Sequence, residues 1–249
     1  MVDLIQDQRN SDEWLRVAGM TKRYGYLTAL DQVGFSIRRG EILGLIGPNG
    51  AGKTTLFECM AGVLPPTAGE LLLAGRPLTP RTRCSTLFYL PDAVAPWPAQ
   101  TVRWALDFAV GFLGARGDRL GSVIDGLAIK PLLGSKVGTL SKGQRKRVLL
   151  AIGLLTSQPL LLSDEPFEGL DLRQSREVAA TLRKHAQDGR TLFLSIHQIA
   201  DAARICDRFV LLSAGKMCGE GTLPELTELA RSSRAVAAPN LEEAFLALT

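Results

Sequence analysis

The chain has 249 residues, 46% of them hydrophobic, enough for one large domain or for a core carrying a smaller lobe. Its best apolar stretches, Val148 to Leu155 and Phe108 to Leu113, fall well short of the roughly 20 residues that cross a bilayer. Lys and Arg number 29 against 25 Asp and Glu, and the one dense basic run, Lys142 to Arg147, is too short for a nucleic-acid-binding tail.

The segment Met1 to Glu13 holds four acidic residues and lacks the basic-then-apolar order of a signal peptide. A cytoplasmic chain is therefore expected, with any membrane part on a separate polypeptide. Trp14 to Ala18 and Gly34 to Ile37 read as short strands, with a turn at Arg39-Gly40. Ile42 to Ile46 reads as a buried strand, and Thr54 to Ala61 as a helix start. Glu70 to Leu73 is a further strand, turning at Ala74-Gly75. Leu87 to Leu90 is another, stopped by Pro91-Asp92 and followed by a proline-rich surface loop over Ala93 to Ala99.

From Thr101 to Leu155 the pattern becomes helical. Val102, Leu106, Ala109 and Val110 share one face, and Val148, Ile152 and Leu155 another, while the glycines of Gly111 to Gly121 cut the region into short pieces. Leu160 to Ser163 has the continuous apolar character of a central parallel strand. A helix over Leu172 to His185, a buried strand over Thr191 to Ile196 and a hairpin of Asp207 to Leu212 with Lys216 to Gly219 follow. Asn240 caps a last helix, with Glu243 completing a capping box and Leu241, Ala244, Phe245 and Leu248 on its apolar face. The result is a helical lobe inserted into a mixed α/β core. His185, beside Arg183 and Lys184, is expected in solvent. Trp14 and Trp104 are expected to pack, and Trp97 either docks on a membrane partner or packs under its own loop. Cys59, Cys84, Cys206 and Cys218 form no CxxC pair, and read as reduced thiols.

Between the strand at Ile42 and the helix at Thr54 lies Gly47-Pro48-Asn49-Gly50-Ala51-Gly52-Lys53-Thr54-Thr55, which matches the phosphate loop G-x-x-x-x-G-K-[ST]. Its glycines let the backbone N–H groups of Gly50, Ala51 and Gly52 turn toward one anion, and the helix behind them adds partial positive charge. Lys53 would reach the β- and γ-phosphates, and the Thr54 hydroxyl would complete a Mg²⁺ shell. A second constellation is Leu160-Leu161-Leu162-Ser163-Asp164-Glu165, a strand ending in two carboxylates at the edge where α/β sheets bind ligands. Asp164 can hold Mg²⁺, and Glu165 can orient a water molecule and take its proton. A third is Leu140-Ser141-Lys142-Gly143-Gln144, where Ser141 and the amides near Gly143 would make a second anion site at a helix start. One chain with two phosphate-binding ends makes sense if two copies face each other across shared nucleotides.

With these motifs in this order, the chain resembles the ATP-binding subunits of ABC transporters over nearly its whole length. Gly47 to Thr55 matches that family's Walker A loop, Leu140 to Gln144 its signature motif with Arg147 following, and Leu160 to Glu165 its Walker B strand. Gly169-Leu170-Asp171 is similar to the D-loop, His197 stands at the switch-histidine position, and Tyr24 resembles the aromatic that stacks on adenine. The resemblance implies a P-loop NTPase (RecA-like) α/β core with a mixed sheet, an antiparallel β subdomain and an inserted helical subdomain. The expected divisions are 1–91 (β subdomain and first part of the core), 92–155 (helical subdomain), 156–222 (second part of the core) and 223–249 (helical tail).

It further implies ATP held by Tyr24, by Asn49 to Thr55 and, across a dimer, by Ser141, Gly143 and Asp171. Mg²⁺ would be managed by Thr54 and Asp164, with Glu165 as the base and His197 reading the γ-phosphate. Three departures stand out. Asp92 replaces the usual Gln and is read either as a Mg²⁺ ligand or as a turn cap; Lys142 replaces a signature glycine; Glu168 replaces the common Ser before the D-loop. The function implied is the ATP-hydrolysing motor of an exporter, a homodimer or pseudo-dimer on the cytoplasmic face of the membrane, driving a separate permease. The exporter reading rests on the Asn240 to Leu246 tail, similar to that of drug- and polysaccharide-exporting members. A non-transport ABC ATPase acting on DNA or ribosomes lacks support, because about 50 residues separate Asp92 from Leu140 without heptads. A GTPase would need an Asn-Lys-x-Asp that is not found, and a P-loop kinase would have no use for Leu140 to Gln144.

Overall fold

In the computed structural model, which describes residues 13–92, 94, 97–113, 117–234 and 240–248, the chain opens with a long hairpin of β1 (Glu13–Tyr24) and β2 (Leu27–Arg38). The N-terminal acidic stretch up to residue 12 and parts of the proline-rich loop lie outside those residues. Both strands run well beyond the short segments expected. Leu15 and Val17 are buried in alternation, but the register slips between Val17 and Met20, where Gly19 takes φ 61°. A bulge shifts the side-chain period by one, so the apolar alternation that identifies a strand is interrupted there.

The buried strand β3 (Ile42–Ile46) leads to helix α1 (Lys53–Ala61). Then come β4 (Ala68–Leu73), the two-residue β5 (Arg76–Pro77), α2 (Pro80–Thr86) and β6 (Leu87–Leu90). Helix α2 was not expected, since it buries only Thr86 and has no apolar stripe; Thr79 starts it by accepting from the Thr82 N–H, with Pro80 in its first turn. The helical lobe holds α3 (Val102–Phe112), α4 (Leu120–Gly126) and α5 (Lys142–Leu155). The chain then alternates through β7 (Leu160–Asp164), α6 (Leu172–Gln187), β8 (Thr191–Ile196), α7 (Ile199–Ile205), β9 (Arg208–Ser213) and β10 (Lys216–Gly221). Helices α8 (Leu223–Arg234) and α9 (Leu241–Leu248) finish it, the latter capped by Asn240, whose Oδ1 accepts from the Glu243 N–H at 2.9 Å.

Two sheets result. One is antiparallel, in the order β2-β1-β4-β5; the other is mixed, in the order β10-β9-β3-β8-β7-β6, parallel except for the β9–β10 hairpin. In the mixed sheet Leu43, Leu45, Leu160, Leu162 and Phe193 point toward the antiparallel sheet and helix α1, where Phe193 meets Phe57 of α1 and Phe35 of β2 with ring centroids 4.9 and 5.3 Å apart. Ile42, Ile46, Leu161, Leu192 and Leu194 face the helices. With both faces covered, each central strand must be apolar throughout, which is why these strands read as unbroken hydrophobic runs. The pairing Ile46–Ile196 and Asp164–Ser195 aligns the C-terminal ends of β3, β7 and β8 along one edge.

Helix α5 is buried from Lys146 to Leu155 on all sides, not on a single stripe, because it lies between the other lobe helices, α3 and α4, and the mixed sheet. On α3, Val102, Leu106 and Ala109 are buried as expected, whereas Val110 is only half-buried. Trp97 packs against α3 itself, tilted on Phe108 with ring centroids 4.8 Å apart and edge-on to Trp104, while Trp104, Phe108 and Phe112 stack along the helix. His185 corrects its expectation. It is buried, not solvated, and burial together with the charges of Arg190 and Arg119 lowers its pKa to about 4.

Candidate nucleotide site

At the shared edge the Gly47 to Gly52 loop closes on the Lys53 ammonium, which donates to the carbonyls of Gly47 at 2.7 Å and Pro48 at 3.3 Å. Gly50 and Gly52 hold φ 81° and 103°, and a Cβ on Gly52 would lie 2.7 Å from the Ala29 carbonyl oxygen. Only glycine fits that turn. Helix α1 starts directly behind it, so the loop amides and the positive helix end converge on one cleft of about 520 Å³. Asn49, Lys53, Thr54, Thr55, Asp164, Glu165 and His197 all line it.

Strand β7 delivers the two carboxylates. The Thr54 hydroxyl donates to Asp164 Oδ2 at 2.8 Å, and the Ser195 hydroxyl donates to Asp164 Oδ1. Ser195 Oγ also accepts the Glu165 N–H at 3.0 Å, and Glu165 Oε2 accepts the His197 N–H at 3.1 Å. Glu165 takes φ 48°, in the left-handed region, and stands 3.8 Å from Lys53 Nζ. Burial raises its carboxyl above the usual range; Lys53 opposes this and the Asp164 charge adds to it. The result is a carboxylate suited to taking a proton. Thr54 and Asp164 offer adjacent oxygen donors beside the phosphate loop, a set that fits Mg²⁺.

A family model for the ABC transporter matches residues 30–168. The chain belongs to the ABC transporter family. It is an ATP-binding domain of that family. Among curated relatives, it is 32% identical to the probable multidrug ABC transporter ATP-binding protein YbhF of Escherichia coli over 92% of this chain; it spans only 40% of that relative's length. The SkfA peptide export ATP-binding protein SkfE of Bacillus subtilis is 30% identical over 87% of this chain and 92% of its own length. A sulfate/thiosulfate import ATP-binding protein of Chromobacterium violaceum is 38% identical over 86% of this chain and 60% of its own. A solved ATP-binding subunit of an ABC transporter superposes with a TM-score of 0.84 at 29% identity, over 94% of this chain and 99% of that one.

The remaining motif residues of this ABC domain lie elsewhere. Ser141 caps α5, accepting from the Gln144 N–H at 3.3 Å while Gln144 Oε1 accepts the Ser141 N–H at 3.0 Å. Gly143 is buried so tightly on the Gly169 carbonyl that a Cβ would collide with it. Asp171 caps α6, accepting the Gln174 N–H at 2.8 Å. None of the three lines the cleft of its own chain. Tyr24 does not line it either; it is half-exposed, with the Lys22 ammonium 5.1 Å from its ring centroid, whereas Leu27 and Ala29 do line the cleft. The three departures pair off. Lys142 bridges to Glu168, and Asp92 to Lys146, a partner neither reading of Asp92 anticipated.

Two functional positions escaped the sequence reading. Ser195 had a visible signal, a lone hydroxyl in the apolar strand Leu192 to Ile196, two residues before His197. Lys146 had less, being one of several cations in the basic run, where burial separates it and Arg147 from Lys142 and Arg145.

Proposed function

We propose that this chain is the ATP-hydrolysing motor of an ABC exporter, pairing head-to-tail with a second copy, or a similar cassette, around ATP, on the cytoplasmic face of a separate permease. The observation that carries the reading is the division of the motif residues. Lys53, Thr54, Asp164, Glu165 and His197 converge on one cleft, while Ser141 and Gly143 stand at a helix start outside it. A second chain presenting its own α5 start to this cleft would complete the phosphate shell.

In that arrangement the loop amides and Lys53 bind the triphosphate of the ATP substrate. Mg²⁺, held by Thr54 and Asp164, would neutralise charge on the phosphates. Ser195 fixes the Asp164 carboxylate and the Glu165 backbone, and the His197 N–H orients Glu165 Oε2. Glu165 takes the proton of the attacking water as the bond to the γ-phosphoryl group breaks, and ADP and phosphate leave. His197 would carry the state of the γ-phosphate to the base through that N–H. Export is supported by the peptide-export and multidrug relatives, and by Nod factor export relatives such as one 31% identical over 85% of this chain.

Mixing tests the shared site. Lys53→Ala and Ser141→Arg chains, each inactive alone, should regain about a quarter to a half of wild-type phosphate release when combined, since one composite site is then intact. Heterodimers that form without recovering any turnover would sink the shared-site reading.

A further inference from the structure

The cleft contains more negative charge than phosphate binding needs. Asp92, Asp164, Glu165 and Glu168 all line it, against Lys53 as the one lysine of the lining. A polyanion entering such a space meets repulsion unless carboxylates are neutralised from behind. Two of the four already have partners of their own. Asp164 accepts from Thr54 and Ser195, and Glu165 from the His197 N–H. Asp92 and Glu168 are met from helix α5, by Lys146 and Lys142. These lysines are four apart, so they share one face of the helix. They differ sharply in setting: the Lys142 side chain is 59% exposed, whereas that of Lys146 is 4% exposed. An exposed pair contributes little, but a buried lysine is kept only where it is paired. Lys146 Nζ also donates to the Asp164 carbonyl oxygen at 3.3 Å, so one ammonium ties the end of β6 and the end of β7 to α5.

We propose that Lys146 is the standing counter-ion and positioning residue of Asp92. It fills the place beside that carboxylate that a divalent cation would otherwise take, leaves Mg²⁺ to Thr54 and Asp164, and anchors the signature helix to the phosphate end of its own chain's cleft. This rests on the cleft being the nucleotide site. Removing the Lys146 charge would leave Asp92 bare toward the phosphates and free to attract metal.

The test is fluorescence titration of the full chain with trinitrophenyl-ATP, once in EDTA and once in Mg²⁺. Lys146→Gln should weaken binding in EDTA about 5- to 10-fold, Mg²⁺ should reduce that loss to about 2-fold, and adding Asp92→Asn should restore the EDTA affinity to within about 2-fold of wild type. An unchanged EDTA affinity, an equal loss with and without Mg²⁺, or no rescue by the second substitution would each overturn the assignment. Asp92→Asn alone keeps the question answerable if Lys146→Gln does not fold. Its gain in affinity on adding Mg²⁺ should match wild type within about 2-fold, and a gain cut about 5-fold or more would make Asp92 itself a metal ligand. Failure of the wild-type chain to bind the analogue would instead remove the nucleotide-site reading, before any variant is compared.

Discussion

Glu165 shows how much one residue owes to its neighbours. The sequence reveals a carboxylate at the end of an apolar strand, next to a second one. Its left-handed backbone, the hydrogen bond its N–H donates to Ser195 Oγ on β8 and the burial that raises its pKa are visible only in the fold. Because a base acts only when deprotonated, turnover should begin to fall on the acid side at a higher pH than an ordinary glutamate carboxyl would set. Glu165→Gln should keep ATP binding and accumulate as an ATP-bound dimer. It should lose at least about 100-fold in phosphate release, with no such acid limb in what remains. Phosphate-release assays across pH, with gel filtration in ATP, check both halves; wild-type turnover in the variant would take the base role from Glu165. At this scale Lys53, Thr54 and Asp164 were legible because their motifs fix spacing, while Lys146 was not, since burial is invisible in a run of cations.

Helix α5 does three things along one rod. Its start presents Ser141, its first turn packs against the segment before α6, and its remaining turns are buried between lobe and sheet. Gly143 therefore has a packing reason to be glycine besides any contact with phosphate. Gly143→Ala should lower the stability of the nucleotide-free chain by about 1–3 kcal/mol, because the nearest neighbour is the Gly169 carbonyl of the backbone and cannot rotate away. Thermal unfolding without nucleotide checks this, and an unchanged midpoint would leave only the phosphate role. Elements were legible where period and burial agreed, as in β3, β7 and β8. They were missed where a bulge broke the period in β1, or where a short helix such as α2 buried almost nothing.

The whole molecule is two sheets and a helical lobe sharing the mixed sheet as a common wall. Arg208 on β9 helps join the two sheets, donating to the Ser36 carbonyl of β2 at 3.4 Å while bridging Glu41 at 3.2 Å and Glu220 on β10. Its acid stability should carry the mark of His185. An imidazole whose pKa falls from 6.5 to about 4 on folding contributes stability that is full above 6.5 and is lost as pH falls toward 4. That difference amounts to roughly 3 kcal/mol. His185→Leu should flatten this limb in urea unfolding measured between pH 7 and 4, and an unaltered slope would return His185 to solvent. The order of motifs along the chain determined that this protein handles a nucleoside triphosphate, because phosphate loops and strand-end carboxylates depend on local spacing and backbone freedom. Which charges neutralise one another, and which histidine is kept from water, only the folded arrangement decided. Pairs such as Asp92 with Lys146 are 54 residues apart and meet only once β6 and α5 have packed.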